Sequence, residues 1–264
     1  MNGGSVGNGA VPAFRGTDPG VTSAQRWREW MADRSFPVLG DDHPARTSSV
    51  RMLVVAAHPD DEVLGAGGLM ARTIRDGGQV TVLCLSDGAA SHPGSPTVTP
   101  EELGRRRRAE LVDALDALGV AHVQHRSLPD GALADHAEDM VAEIDEAIAT
   151  FGGHDVVVGV WRGDRHPDHA AVGWAAATAA AGAGSVYLEY PVWMWHWASP
   201  DDVSVPWSRA RVLSLPEEVV AAKRTAVARF VSQIEDLSDD PADRAILPPA
   251  LLDRLVTDTE LFFT

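Results

Sequence analysis

Apolar and polar positions divide the chain into short apolar runs separated by longer stretches with a helical period. The apolar runs alternate little with polar residues, which is typical of parallel strands buried on both faces. These runs occupy residues 51–57, 79–85, 120–126, 155–160, 186–189 and 211–213. The helical patterns occupy residues 25–32, 65–75, 99–118, 134–150, 167–181 and 214–230. Their alternation predicts an α/β fold, Rossmann-like, with a mostly parallel sheet and helices on both faces.

Helix starts are predicted most clearly where capping residues stand. Thr99-Pro100-Glu101-Glu102 combines a capping threonine, a proline at the first helical position and a glutamate that completes a capping box. Ser214-Leu215-Pro216-Glu217 has a similar pattern and predicts the start of the last helix. Residues 235–264 show no pattern that predicts an element.

The two ends of the pattern suggest how the chain is organised. Residues 1–22 are mostly small and polar, which predicts a flexible tail, and residues 23–264 are predicted to form a single domain. The N-terminus has no basic segment followed by an apolar core, so it does not predict a signal peptide. No apolar stretch approaches the ~20 residues that a membrane span requires.

Charge and cysteine content narrow the classes of partner. The formal net charge is −16, and such a surface repels the phosphates of nucleic acids and anionic lipids. The single cysteine, Cys84, lies in the second apolar run and is predicted to be a buried thiol. These features favour a cytoplasmic protein without nucleic acid or membrane partners. The Ala- and Arg-rich, Lys-poor composition indicates a GC-rich bacterial genome.

Two polar segments follow predicted strands. His58-Pro59-Asp60-Asp61-Glu62 comes directly after the first strand, and His166-Pro167-Asp168-His169 comes shortly after the fourth. Carboxyl ends of parallel strands share one edge of a sheet, so both segments are expected to face one crevice. Imidazole and carboxylate are good ligands for zinc and other divalent metals. More than three candidate ligands are present, so some of these groups are expected to move protons or stabilise a tetrahedral intermediate.

In these residues the sequence resembles the PIG-L/LmbE-like family of zinc-dependent N-acetylglucosaminyl deacetylases. The first segment, continued by Val63-Leu64-Gly65-Ala66-Gly67-Gly68, matches the family's opening motif, and the second matches its later motif residue for residue. The resemblance implies that His58, Asp61 and His169 bind Zn²⁺, although another divalent metal is possible. It also implies that Asp60 is the general base, that His166 acts on the tetrahedral intermediate, and that Asp168 orients His166.

Substrate contacts are expected from three further places. The resemblance makes Arg107 a candidate for substrate binding, three residues before Glu110 as in the family, and Asp87 is predicted as a further substrate contact. Two departures from relatives are Ala89 after Asp87-Gly88, where many have Glu, and Asp164, where some thiol-precursor enzymes have Tyr. In residues 190–197 every second position from Trp193 to Trp197 is a tryptophan, so an extended segment would present Trp193 and Trp195 on one face to a sugar or its aglycone.

The resulting prediction is a zinc-dependent hydrolase that removes acetate from a small N-acetylglucosaminyl-type sugar or glycoside. An amidase of the same family acting on a larger thiol-cofactor S-conjugate is one alternative. A non-catalytic carbohydrate-binding protein is another. A nucleotide-dependent Rossmann enzyme is a third, suggested by Gly65 to Gly68, but these glycines do not form the Gly-x-Gly-x-x-Gly pattern directly after the strand. No oligomeric state is predicted.

Overall fold

Seven strands form one sheet in the computed structural model, which describes residues 20–40, 43–47 and 49–264, with Phe151 described by its backbone alone. The strands are β1 (Arg51–Ala56), β2 (Gln79–Ser86), β3 (His122–Leu128), β4 (Val156–Val160), β5 (Val186–Tyr190), β6 (Ala210–Ser214) and β7 (Thr259–Phe263). The helices are α1 (Ala24–Ala32), α2 (Asp61–Arg75), α3 (Pro100–Ala117), α4 (Ala137–Ala149), α5 (Pro167–Ala183), α6 (Met194–Trp197), α7 (Glu217–Val227), α8 (Val231–Ile234) and α9 (Pro249–Leu255).

The strand order is β3-β2-β1-β4-β5-β7-β6. Strands β1 to β5 pair in parallel, and β7 runs antiparallel to both β5 and β6. The chain moves outward from β1 to β3 and then returns to place β4 on the other side of β1. Right-handed crossovers in these two directions put helices on opposite faces of the sheet. The predicted α/β fold with a mostly parallel sheet is therefore confirmed.

The reversal of strand order creates a crevice between β1 and β4. Both strands are apolar and almost fully buried, with Leu53, Val54, Val157 and Val158 at 0% exposure, so the sheet is rigid where the two turns leave it. In open α/β sheets ligands bind beyond the carboxyl ends of the strands at such a switch point. The turn after β1 and the loop after β4 both end there.

Helix boundaries agree with the capping chemistry in one case and not in the other. Thr99 caps α3 and forms the full capping box with Glu102, as predicted. Helix α7 begins at Glu217 behind Pro216, and no side chain caps it, so the capping box predicted at Ser214 is wrong. Ser214 instead ends β6 and pairs with Thr259 of β7.

The C-terminal region, without a predicted element, completes the sheet. Strand β7 carries the apolar run Leu261-Phe262-Phe263 and lies between β5 and β6. Helices α8 and α9 precede it. The run is short and lacks an alternating pattern, so its place in the sheet depends on the partner strands rather than on its own period.

The first described residues are attached to the body of the protein. The backbone N–H of Val21 donates to His196, and the Thr22 hydroxyl donates to Ala198 at 2.9 Å. Residues 1–19 of the predicted tail lie outside the described residues. Helix α1 follows and buries Trp27 and Trp30. In the part of the chain that the structure describes, no helix combines the length and the apolar character needed to cross a membrane.

Candidate metal centre

The turn between β1 and α2 is held in an unusual conformation. Asp60 has a φ of 137°, which costs a non-glycine residue about 1–3 kcal/mol and is seen mostly at functional sites. The carboxylate of Asp61 accepts the backbone N–H of His58 at 2.9 Å, and the Asp60 carbonyl accepts the N–H of Leu64 at 2.9 Å. The start of α2 thus fixes the side chains of this turn toward the crevice.

Three side chains from the two segments meet at the switch point. One ligand atom each of His58, Asp61 and His169 lies within 4.8 Å of the other two, and all three residues are buried. His58 Nδ1 is 3.3 Å from Asp61 Oδ2, and His169 Nε2 is 3.3 Å from Asp61 Oδ1. His58, His166 and Asp168 form a second group with the same spacing, but His166 is less buried.

The donor atoms of the first group fit a divalent cation. His169 Nε2 is buried and has no hydrogen-bond partner among the described residues. It faces a carboxylate and a second imidazole, and this N₂O set is one that zinc prefers when a position is left for water. Asp61 is held as a carboxylate, because His169 and His58 outweigh burial and keep its pKa well below the usual range.

Asp164 orients His169, a role that sequence reasoning missed because this position was noted only as a departure from relatives. Its carboxylate lies 2.8 Å from His169 Nδ1 and accepts the backbone N–H groups of Trp193 and Met194. Such a carboxylate selects the tautomer that leaves Nε2 free to bind a metal. Its position five residues before a histidine ligand was the available signal.

Arg107 and Asp60 are in direct contact in the structure. The Arg107 guanidinium donates to the carboxylate of Asp60 at 2.9 Å and to the carbonyls of Pro59 and Gly88 at 2.8 and 2.7 Å. Burial raises the pKa of Asp60 to about 7 against the opposing charge of Arg107. A carboxylate that binds a proton near neutral pH suits general base chemistry.

His166 and Asp168 lie at the site, but their contacts differ from the expected pairing. The Asp168 carboxylate lies 3.1 Å from His58 Nε2 and accepts the backbone N–H of Gly131 at 2.8 Å. Asp168 reaches His166 only through its backbone N–H, at 3.3 Å from Nδ1. Burial and the two neighbouring imidazoles lower the pKa of His166 to about 3, so His166 is neutral near pH 7.

Asp130 is a second site residue that sequence reasoning missed. It follows β3, lies 3.1 Å from His58 Nε2 and accepts the backbone N–H of Ala90 at 2.7 Å. The signal available was its position just after a strand of the parallel sheet, where β1 and β4 also deliver their site residues.

The tryptophan segment does not have the extended conformation that sequence predicted. Residues 194–197 form the short helix α6, so alternate residues do not share one face. Trp193 lines the cleft. Trp195 packs edge-to-face on Trp27, with ring centroids 5.1 Å apart, and lies outside the cleft lining. The segment is helical rather than extended because the Asp164 carboxylate accepts hydrogen bonds from its first N–H groups.

Asp87 is likewise separated from the cleft. Its carboxylate accepts from Arg108 at 2.6 Å, and it is absent from the residues that line the cleft. The neighbouring Gly88 reaches the site through its carbonyl, which binds Arg107.

The glycines after the first segment serve helix packing. A Cβ on Gly65 would lie 2.0 Å from the Tyr190 ring, and one on Gly68 would lie 2.4 Å from Leu215. Both positions lie within α2, where the helix approaches its neighbours closely. This arrangement removes the reason for considering a nucleotide-binding glycine loop.

A cleft of about 580 Å³ opens above these groups. Its lining combines residues in and beside the two segments with residues from five other parts of the chain: Arg107; Ala90, Ser91 and Pro93; Asp130 and Gly131; Val192 and Trp193; and positions between Gln233 and Leu247. The volume lies in the range of sites that bind small molecules.

A buried His–Asp–His set at the switch point of a parallel sheet, beneath a small-molecule cleft, defines an α/β protein with a candidate single-metal centre. Residues 53–180 match the PIG-L family model, described as GlcNAc-PI de-N-acetylase. The matched range includes both polar segments, so the chain is similar to this family over the residues that form the candidate centre.

Two curated relatives are described as 1D-myo-inositol 2-acetamido-2-deoxy-alpha-D-glucopyranoside deacetylases. The one from Kineococcus radiotolerans is 34% identical over 113 residues, covering 39% of this chain and 31% of that protein. The one from Actinosynnema mirum is 31% identical over 154 residues, covering 47% and 52% respectively. The chain thus spans between about a third and about half of the length of these relatives.

The fold is also found among solved structures. A triple mutant of a deacetylase involved in teicoplanin biosynthesis is similar with a TM-score of 0.63 and 26% sequence identity. That similarity covers 81% of this chain and 96% of the other.

Proposed function

We propose that this protein is a zinc-dependent deacetylase of an N-acetylglucosaminyl sugar or glycoside. The observation that carries the proposal is the convergence of His58, Asp61 and His169 within 4.8 Å at the base of the cleft. The relatives and the similar solved structure are named as deacetylases, which supports the same reaction.

A zinc ion held by these three residues would supply a water of lowered pKa and polarise the amide carbonyl. Asp60, whose Oδ2 contacts Arg107 at 2.9 Å, would accept a proton from the attacking water. His166, neutral at pH 7, would donate an N–H hydrogen bond to the developing oxyanion, and Asp168 and Asp130 would hold His58 in place. The products are acetate and a free amine.

Metal content and acetate release test the proposal together. We expect the purified protein to bind one zinc ion and, once loaded, to release acetate from N-acetylglucosaminides. His169→Ala removes a ligand and should abolish both. A protein that binds zinc at these residues but hydrolyses no N-acyl sugar would instead favour the non-catalytic carbohydrate-binding alternative.

The substrates tested for acetate release should include the inositol glycoside for which the relatives are named. A thiol-cofactor S-conjugate with a larger amide is the alternative substrate for the same hydrolysis. Cytoplasmic location and bacterial source are further proposals. The first is supported by the single, buried Cys84, and the second by the Arg-rich, Lys-poor composition.

A further inference from the structure

The cleft is polar at the metal ligands and apolar along the segment that precedes α9. Pro241, Ala242, Ala245, Ile246 and Leu247 all line it, and together we call them the apolar wall. Arg244, in the middle of this segment, also lines the cleft, and its guanidinium is paired with the carboxylate of Asp236 at 2.8 Å.

The apolar wall is built into the structure by buried hydrogen bonds. The carboxylate of Asp243, at 0% exposure, accepts from the hydroxyls of Thr97 and Ser238 at 2.7 and 2.5 Å. The backbone N–H of Leu247 donates to the carbonyl of Gln233 at 2.8 Å. These bonds tie the segment to the loop before α3 and to α8, so the wall holds its shape before a ligand arrives.

Trp193 extends the apolar surface of the cleft. Its indole is half-buried, and its backbone N–H is fixed by Asp164 at 2.8 Å. A polyol against the wall and this ring would leave hydroxyls without partners, which costs binding free energy. An alkyl or aromatic group would instead exchange water for apolar contact.

We propose that the apolar wall and Trp193 form a subsite for an apolar substituent on the glucosamine substrate. This inference rests on the proposed function and specifies its substrate class. The substituent is either an apolar aglycone at C1 or an acyl chain longer than acetyl on the nitrogen. The polyol aglycone of the curated relatives is the disfavoured class.

Matched substrates test the subsite and show whether an aglycone or an acyl chain occupies it. We expect kcat/KM for octyl N-acetylglucosaminide, or for the methyl glycoside of N-octanoylglucosamine, to exceed that for methyl N-acetylglucosaminide at least about tenfold. Faster turnover of the octyl glycoside assigns the wall to the aglycone. Faster turnover of the N-octanoyl compound assigns it to the acyl chain. Equal values for all three compounds, or a preference for the inositol glycoside, would overturn the inference.

A variant pair assigns the effect to the wall. Ile246→Asn places an amide in the wall and should reduce the preference for the octyl-bearing substrate over the methyl glycoside severalfold. Leu252→Asn, a half-buried residue of α9 outside the cleft lining, is the matched control and should keep that preference. Loss of preference in both variants would point to general destabilisation and count against the wall.

Binding separates this inference from the proposed function. Calorimetry with the zinc-loaded protein compares octyl glucosaminide with methyl glucosaminide, neither of which has an amide to hydrolyse. Tighter binding of the octyl compound without hydrolysis of any N-acyl substrate would retain the subsite and reject the deacetylase. Hydrolysis without an octyl preference in binding or turnover would retain the deacetylase and reject the subsite.

Discussion

At the scale of single residues, burial sets the chemistry of the cleft. Asp60 is buried beside another carboxylate, Asp61, and the charge of Arg107, together with the two histidine ligands, only partly offsets the cost of its own charge. The His169 imidazole has the opposite environment, because Asp61 and Asp164 outweigh burial and raise its pKa to about 9. Binding a cation at His169 Nε2 therefore competes with a proton, as is general for histidine ligands.

Replacing the proposed base leaves the metal ligands intact. We expect Asp60→Asn to lower kcat by about 10²–10⁴-fold, because an amide cannot accept the proton of the attacking water. Zinc content measured by atomic absorption should remain one per chain. Asp87→Asn, which removes a carboxylate paired with Arg108 outside the cleft, is the control and should keep kcat close to wild type. Full activity of Asp60→Asn would reject the assigned role.

Replacing Asp164 tests orientation of a ligand rather than ligation itself. We expect Asp164→Asn to weaken zinc affinity by about 10–100-fold, since the carboxylate that fixes the His169 tautomer is lost. Competition with a fluorescent chelator measures this affinity. An unchanged affinity in a folded variant would mean that Asp164 serves only the backbone of Trp193 and Met194.

At the scale of elements, a buried ion pair between α7 and β7 binds backbone groups of helix α2. Lys223 of α7, the only lysine in the chain, is fully buried and donates to Glu260 of β7 at 2.7 Å and to the Leu64 carbonyl at 2.8 Å. The Glu260 carboxylate accepts the N–H groups of Gly68 and Leu69 at 2.7 and 2.8 Å. Since each amide has one proton, these bonds compete with the i→i−4 bonds of α2. The helix that begins with Asp61 is thus tied to α7 and β7.

Breaking this pair is expected to be costly. Lys223→Met should lower the free energy of unfolding by about 3–5 kcal/mol, because it leaves the buried Glu260 charge without its cation. Urea denaturation measures the loss. Glu218→Gln breaks the exposed Arg75–Glu218 pair and should cost no more than about 1 kcal/mol. Equal effects of the two variants would contradict the role of burial.

At the scale of the whole molecule, the candidate centre joins distant parts of the chain. Its ligands come from the turn after β1 and the start of α5, more than 100 positions apart in sequence. A cation that binds the folded protein and not the unfolded chain stabilises the native state by linkage.

Zinc is therefore expected to raise the thermal unfolding temperature. At free zinc 1,000-fold above the dissociation constant, the stabilisation should be about 4 kcal/mol. Differential scanning calorimetry with and without a chelator measures the shift. His169→Ala should show no zinc-dependent shift, and an equal shift in this variant would place the stabilising ion elsewhere.

The sequence by itself determined the parallel strands β1 to β5, the fold class and the two polar segments that converge at the switch point. Apolar runs and residues next to a strand end carry this information locally, because burial of a strand and the start of a helix depend on neighbours in sequence. Only the tertiary structure decided the roles of Asp130 and Asp164, the helical path of the tryptophan segment, and the placement of β7 and the apolar wall. Each of these depends on a hydrogen bond or strand pairing between residues far apart in the chain. Local periodicity does not identify such partners, because it reflects only neighbours in sequence.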